Sequence, residues 1–192
     1  MEPIHIPIYN NMQRWFFKIL LLGERGVGKT CIRYYSSRGF FNDKYYPLDD
    51  AYVERIIQDE IIKMEIIDID WDDRLALLQN DSITSSHGFI LAYSITDKKS
   101  FLNLNNHIKR IANVKGHKAP VVVVANKCDL EENRVVSIAE GFEFSAVHEA
   151  PFYEISAKLG INIASVCLLV ARECIKREQP NKKGRGKQCV IF

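Results

Sequence analysis

Short apolar runs alternate along the chain with stretches of helical periodicity. Six runs rich in apolar and β-branched residues have the length of strands. They are Trp15–Leu22, Ala51–Ile57, Ile61–Ile67, Phe89–Ile95, Val121–Ala125 and Pro151–Ile155. Because only a short polar turn joins the second run to the third, these two are predicted to form an antiparallel hairpin.

Five stretches between and after these runs are predicted to be helical. They are Thr30–Ser37, Arg74–His87, a helix that Asp97 caps and that continues to about Val114, Val136–Val147 and Ile161–Gln179. This order predicts an α/β fold: a mostly parallel six-stranded sheet with helices on both faces. We expect one domain over residues 15–179, a flexible N-terminal extension over 1–14 and a separate tail over 180–192.

Composition and charge exclude several classes of protein. The 192 residues carry 26 Lys and Arg against 24 Asp and Glu, a net charge of +2, which argues against a nucleic-acid-binding protein. The five cysteines are scattered without a C-x-x-C pair, so a disulfide scaffold or structural zinc site is not expected. The simplest location for such a protein is the reducing cytosol. The apolar runs are too short to span a membrane as a helix.

The turn after the first strand carries the pattern G-x-x-x-x-G-K-[ST], as Gly23-Glu24-Arg25-Gly26-Val27-Gly28-Lys29-Thr30. Glycines let backbone N–H groups face a phosphate, and the helix that follows directs its positive end at the same point. Lys29 is expected to reach the β- and γ-phosphates, and the Thr30 hydroxyl to ligate Mg²⁺. The alternative is an ordinary glycine-rich turn, but a chance match to this pattern in a chain of this length is on the order of one per cent. The predicted phosphate-binding residues are Gly23, Arg25, Gly26, Val27, Gly28, Lys29, Thr30 and Cys31.

Two further motifs follow the fifth and sixth strands, Asn126-Lys127-Cys128-Asp129 and Ser156-Ala157-Lys158. Ligands of open α/β sheets bind at the carboxyl ends of the strands, where both motifs lie. The Asp129 carboxylate can accept two hydrogen bonds from the N1–H and exocyclic amine of guanine. Adenine lacks that pair of donors, so an ATP-using enzyme with the same phosphate loop is disfavoured.

With these motifs the sequence resembles the Ras superfamily of small GTPases, over about residues 15–180. The resemblance implies binding of GTP, GDP and Mg²⁺, hydrolysis of GTP to GDP, and partner proteins (effectors and exchange factors) that the sequence does not name. It implies that Asp68 positions Mg²⁺, that the Ala157 N–H contacts the guanine carbonyl and that Phe41 stacks across the base edge. The guanine-binding set that it implies is Phe41, Asn126, Lys127, Asp129, Ser156, Ala157 and Lys158.

The sequence departs from this family at the hydrolytic machinery. Leu48 follows Pro47 where the family has a Mg²⁺-binding threonine, and no Ser or Thr occurs between Ser37 and Ser82. The family's D-x-x-G-Q is here Asp68-Ile69-Asp70-Trp71-Asp72, so Asp72 occupies the usual glutamine position and no catalytic residue is assigned. We therefore expect slow or absent hydrolysis, with a non-cycling pseudo-GTPase scaffold as the alternative.

Charged residues near the expected γ-phosphate have two interpretations. Arg25 stands where the Ras branch favours glycine; it either crowds the attacking water or extends into solvent. The carboxylates of Asp70, Asp72 and Asp73 either oppose the negative charge of the transition state or cap the next helix.

The last four residues, Cys189-Val190-Ile191-Phe192, fit the C-a-a-X pattern, and a terminal Phe favours geranylgeranylation of the cysteine. From residue 176 onward six Lys and Arg face one Glu, a net charge of +5. A lipid combined with a basic segment is the usual pair of signals for stable attachment to an anionic membrane. We expect attachment to the cytoplasmic face of the plasma membrane, with endomembranes as the other location. A nuclear or nucleic-acid-binding tail would leave Cys189 unexplained.

Overall fold

The computed structural model describes residues 13–39, 51–57, 60–69, 76–116 and 119–179. Within them lies one six-stranded sheet, as the apolar runs predict. Its strands are β1 (Gln13–Leu22), β2 (Ala51–Ile57), β3 (Glu60–Asp68), β4 (Gly88–Ser94), β5 (Val121–Asn126) and β6 (Phe152–Glu154). Each differs from its predicted run by at most two residues at either end.

The strands are ordered β2-β3-β1-β4-β5-β6 across the sheet. β2 and β3 pair antiparallel, with Val53 opposite Met64, which confirms the predicted hairpin. Every other pair is parallel. The carboxyl ends of β1, β3, β4, β5 and β6 therefore meet at one edge of the sheet, and the loops that follow these strands lie together there.

The helices are α1 (Lys29–Arg38), α2 (Ala76–Ser85), α3 (Lys98–Leu102), α4 (Leu104–Lys115), α5 (Ile138–Val147) and α6 (Ile163–Glu178). The prediction of one helix after Asp97 is wrong, because the helix is interrupted at Asn103. The predicted cap is present: the Asp97 carboxylate accepts hydrogen bonds from the N–H groups of Lys99 and Ser100. At Asn103 the side-chain amide is held by Glu24 and Asn106, so the break between α3 and α4 coincides with contacts to other parts of the chain.

Two apolar cores cover the two faces of the sheet, which confirms the predicted three-layer arrangement. Alternate residues of β1 enter opposite cores: Ile19 and Leu21 pack with helices α1 and α6, and Leu20 and Leu22 pack with the other core. A strand buried on both faces needs apolar side chains at consecutive positions, which explains the unbroken apolar runs at the end of β1 and along β5. No helix in the part of the chain described is long and apolar enough to cross a membrane.

Candidate functional site

Polar loops from four strands converge at the carboxyl edge of the sheet. They are the glycine-rich turn after β1, the end of β3 at Asp68, the loop 127–130 after β5 and the loop 155–160 after β6. A separate basin of about 950 Å³ lies at the opposite edge, lined mainly by apolar side chains around Pro120 and Pro151. Because the predicted chemistry lies in the loops, the carboxyl edge is the candidate site.

The glycines of the turn after β1 are required by close packing. Gly23 has φ 148° and Gly28 has φ 96°, in the region that disfavours side chains. A Cβ atom on Gly23 would lie 2.1 Å from the Ala92 carbonyl oxygen, and one on Gly28 would lie 2.4 Å from Nδ2 of Asn126. Glycine is therefore needed at both positions, because any side chain there would collide with the backbone of β4 or with Asn126.

Lys29 is the first residue of α1 and is 6% exposed. Its ammonium donates hydrogen bonds of 3.0 Å to the carbonyl oxygens of Gly23 and Glu24, both in the preceding turn. An ammonium has three N–H groups, so two of them fix the cation inside the turn and the third is directed elsewhere. This places a positive charge where the sequence pattern predicts the β- and γ-phosphates.

Thr30 and Asp68 form the predicted metal pair. The Thr30 hydroxyl donates a hydrogen bond of 2.5 Å to Oδ2 of Asp68. Mg²⁺ prefers hard oxygen ligands and is usually held by one or two protein groups together with waters and substrate phosphates. One hydroxyl and one carboxylate beside the glycine-rich turn fit that donor set.

The other predicted phosphate-binding residues differ in exposure. Val27 is buried and belongs to a core, whereas Arg25 and Gly26 are exposed. Cys31 is half-buried, and burial raises the pKa of its thiol. The exposed position of Arg25 is compatible with both interpretations of that residue.

Asn126 joins the glycine-rich turn to the loop after β6. It is 2% exposed; its Nδ2 donates to the Val27 carbonyl at 2.7 Å and its Oδ1 accepts from the Ala157 N–H at 3.0 Å. The family resemblance assigns both Asn126 and the Ala157 N–H to guanine, and in this structure they bond to one another. Asn126 thus acts here as a bridge between the two loops.

Asp129 is oriented by Ser156. The Ser156 hydroxyl donates to Oδ1 of Asp129 at 2.6 Å and accepts a hydrogen bond from the Leu159 N–H at 3.0 Å. Lys127, between the strand and Asp129, has a left-handed backbone with φ 66°, which turns the chain. Lys158 is exposed. The structure thus brings the two predicted guanine motifs into direct contact.

Sequence reasoning missed a charged cluster beside these motifs. The Arg134 guanidinium bonds to both carboxylate oxygens of Glu154, at 2.7 and 3.1 Å, and also to Glu131. Glu154 is the last residue of β6, and Glu131 lies two residues after Asp129. Arg134 therefore joins the two chain segments that carry the guanine motifs. The sequence carried only a weak signal of this cluster, because acidic and basic residues close together in a loop are ordinary surface features.

Several predicted residues lie outside the described part of the chain. They are Phe41, Leu48, Asp70, Trp71, Asp72, Asp73 and Cys189.

Comparisons with known proteins decide the family. The Ras family model matches residues 18–176. This chain belongs to the Ras family. It is 35% identical to Ras-like protein rasU of Dictyostelium discoideum over 191 residues, which is 96% of this chain and 90% of rasU. It is also 35% identical to Ras-like protein 1 of Saccharomyces cerevisiae over 150 residues, 77% of this chain but only 48% of that longer protein. The resemblance on which the site assignments rest is thereby confirmed at the level of the family.

Proposed function

We propose that this Ras-family protein binds GDP and GTP with Mg²⁺ at the carboxyl edge of the sheet. The observation that carries the proposal is the bridge from the Val27 carbonyl through Asn126 to the Ala157 N–H, because it makes the phosphate turn and the guanine motifs one unit. Ras-family GTPases in general bind these nucleotides and Mg²⁺, and Lys29, Thr30 and Asp68 are suitably placed to hold the phosphates and the metal.

Nucleotide extracted from the purified protein tests this proposal. We expect bound GDP or GTP by chromatography, and tight binding of fluorescent GDP that unlabelled ADP does not displace. Asp129→Ala removes the acceptor for the guanine N1–H and amine, so this variant should lose the preference for GDP over ADP. A purified protein that prefers ADP, or that binds neither nucleotide, contradicts the proposal.

Hydrolysis by this protein is proposed to be slow or absent. Support comes from the sequence: Leu48 and Trp71 replace the residues that sense the γ-phosphate, and Asp72 replaces the glutamine that orients water. In a single-turnover assay, we expect bound GTP to outlast the ordinary intrinsic lifetime. A rate on the order of 10⁻⁴ s⁻¹ or faster contradicts this part of the proposal.

The chain is further proposed to have three parts: residues 1–14, the nucleotide-binding domain 15–179 and a prenylated basic tail over 180–192. Cys189 in a C-a-a-X sequence and the +5 charge from residue 176 support anchoring at the cytoplasmic face of the plasma membrane or at endomembranes. Fractionation of cells that express the full chain tests it. Cys189→Ser should move the protein from the membrane to the soluble fraction, and an unchanged distribution argues against lipidation.

One observation favours a second candidate, a membrane-tethered pseudo-GTPase scaffold. This sequence lacks the threonine and the glycine with which the family contacts the γ-phosphate, so GDP and GTP would make nearly the same contacts with the protein. Two ligands that make the same contacts do not shift a conformational equilibrium relative to one another. Exchange and hydrolysis rates separate the two candidates. The scaffold is supported if the protein keeps its bound nucleotide through many hours with excess GTP, or if it is purified without bound nucleotide.

A further inference from the structure

Glu24, the second residue of the phosphate turn, holds a contact outside that turn. Its side-chain Oε1 accepts a hydrogen bond from Nδ2 of Asn103, the residue that separates α3 from α4. Its backbone carbonyl accepts the 3.0 Å hydrogen bond from the Lys29 ammonium. One residue therefore contacts both the cation of the turn and a helix junction 79 positions along the chain.

Asn103 is itself held in place by further hydrogen bonds. Its Oδ1 accepts from Nδ2 of Asn106 at 2.8 Å, and its backbone N–H bonds to the Lys99 carbonyl at 3.1 Å. Both ends of the Asn103 amide are thereby engaged, so the Nδ2 group that meets Glu24 has a defined direction. The interruption of the helix at Asn103, which the sequence did not predict, coincides with this arrangement.

A carboxylate in a phosphate turn is unfavourable unless it points away from the phosphates, because like charges a few ångströms apart repel. The hydrogen bond to Asn103 directs the Glu24 carboxylate to the helix junction. The carboxylate held by Asn103 and the carbonyl oxygen that accepts from Lys29 belong to one residue, so the first contact limits the positions open to the second. The side chain of Glu24 is thus linked to the placement of the phosphate-binding cation through one residue.

We propose that Glu24 is a positioning residue for the nucleotide site, and that its hydrogen bond to Asn103 sets how long the bound nucleotide is retained. This inference rests on the proposed guanine-nucleotide function. Glu24 does not touch the nucleotide in this scheme. It acts through its own carbonyl on Lys29 and through Asn103 on the junction of α3 and α4.

The test compares Glu24→Gln with Glu24→Ala, each alone and combined with Asn103→Ala. Both substitutions remove the negative charge, but only glutamine retains an oxygen that can accept from Asn103. The measurement is the dissociation rate of fluorescent GDP from the full chain in Mg²⁺. We expect Glu24→Ala to release GDP roughly two- to tenfold faster than Glu24→Gln. With Asn103→Ala present, the two should agree to within about twofold, as a double-mutant cycle requires of a pair that interacts directly.

Controls separate positioning from loss of fold. Asn113→Ala removes an exposed asparagine from α4, away from its junction with α3, and should leave GDP release at the wild-type rate. Circular dichroism of Glu24→Ala and Glu24→Gln should show that both variants are fully folded at the temperature at which GDP release is measured.

Three results overturn the inference. Equal rates for Glu24→Ala and Glu24→Gln mean that the hydrogen bond from Asn103 does not set the rate of GDP release. A rate ratio that persists with Asn103→Ala means that Asn103 is not the partner. A wild-type chain that binds no GDP removes the proposed function and this inference together, whereas the first two results leave the proposed function standing.

Discussion

The Thr30 hydroxyl and the Asp68 carboxylate are joined by a hydrogen bond of 2.5 Å. Thr30 lies in the first turn of α1, and Asp68 ends β3, where it pairs with Leu21 of β1 just before the glycine-rich turn. The parallel pairing of β1 with β3 therefore sets the separation of the two oxygens. To a bound Mg²⁺ the Thr30 hydroxyl would offer a lone pair and Asp68 a carboxylate oxygen, both hard ligands of the kind that this cation prefers.

Thr30→Ala should weaken the dependence of nucleotide retention on Mg²⁺. Removal of the hydroxyl deletes one of the two protein oxygens expected to hold the metal. The measurement is the rate of GDP release in EDTA divided by the rate in Mg²⁺, and we expect this ratio to fall by roughly tenfold or more. Thr84→Ala, an exposed threonine of α2, is the control. A Thr30→Ala variant with the wild-type ratio would exclude Thr30 as a ligand.

Asn126→Ala should destabilise the fold as well as the site. The substitution leaves the Val27 carbonyl and the Ala157 N–H without their partner in a region closed to solvent. We expect the free energy of unfolding in urea, measured without nucleotide, to fall by about 2–4 kcal/mol. Asn105→Ala, at an exposed site, should change it by less than about 0.5 kcal/mol. A loss confined to nucleotide affinity would mean that Asn126 contacts the base without bracing the loops.

Arg134→Lys should loosen the two guanine-motif loops although the charge is kept. Lysine cannot reproduce the paired hydrogen bonds that the guanidinium makes to Glu154, whose side chain is largely covered. We expect a loss of about 1–2 kcal/mol in the free energy of unfolding and faster GDP release. Glu131→Gln, which removes only the exposed partner, serves as the comparison and should have a much smaller effect. Equal effects of the two variants would show that Glu154 is not the important partner.

His107 should make the protein less stable as the pH falls from about 6.5 to 4. Burial lowers the pKa of this imidazole to about 4; the nearby Glu24 carboxylate opposes that shift, and Lys29 and Arg110 add to it. Between these two pH values the unfolded chain binds a proton that the folded chain does not, so stability increases with pH there by up to about 1.4 kcal/mol per unit.

Urea unfolding at pH 7, 6 and 5 measures this effect. His107→Gln, which does not titrate, should show a shallower loss of stability over that range than the wild type. A variant with the wild-type slope would assign the pH dependence to other groups.

The sequence predicted the sheet well because its strands carry the clearest physical signal. β5 is buried on both faces, which demands an unbroken apolar run. The glycine-rich pattern before Lys29 lies between a strand and a helix, as that motif requires. The helix interruption at Asn103 was not predictable, since it coincides with a contact to Glu24 that is remote in sequence. Periodicity reports only local burial and does not register such a contact.

The same limit applies to the candidate site. The motif around Asn126 indicated a role at the base, yet the contact of its amide with Val27 spans 99 positions and has no local signature. Arg134 lies in a loop among ordinary surface charges. Its role follows only from the folded structure, in which β6 brings Glu154 within hydrogen-bonding distance of it. Residues that hold a site together from a distance are therefore the ones that a single sequence conceals.

The two carbonyl oxygens that hold the Lys29 ammonium have an entropic consequence. A free lysine side chain samples many rotamers, and restricting it opposes binding by about 1.5–2 kcal/mol. In this protein the Gly23 and Glu24 carbonyls have already removed that freedom when the domain folds. In the proposed nucleotide complex a phosphate would meet a preorganised cation, and the free energy of its attraction to Lys29 would be retained as affinity rather than used to order the side chain.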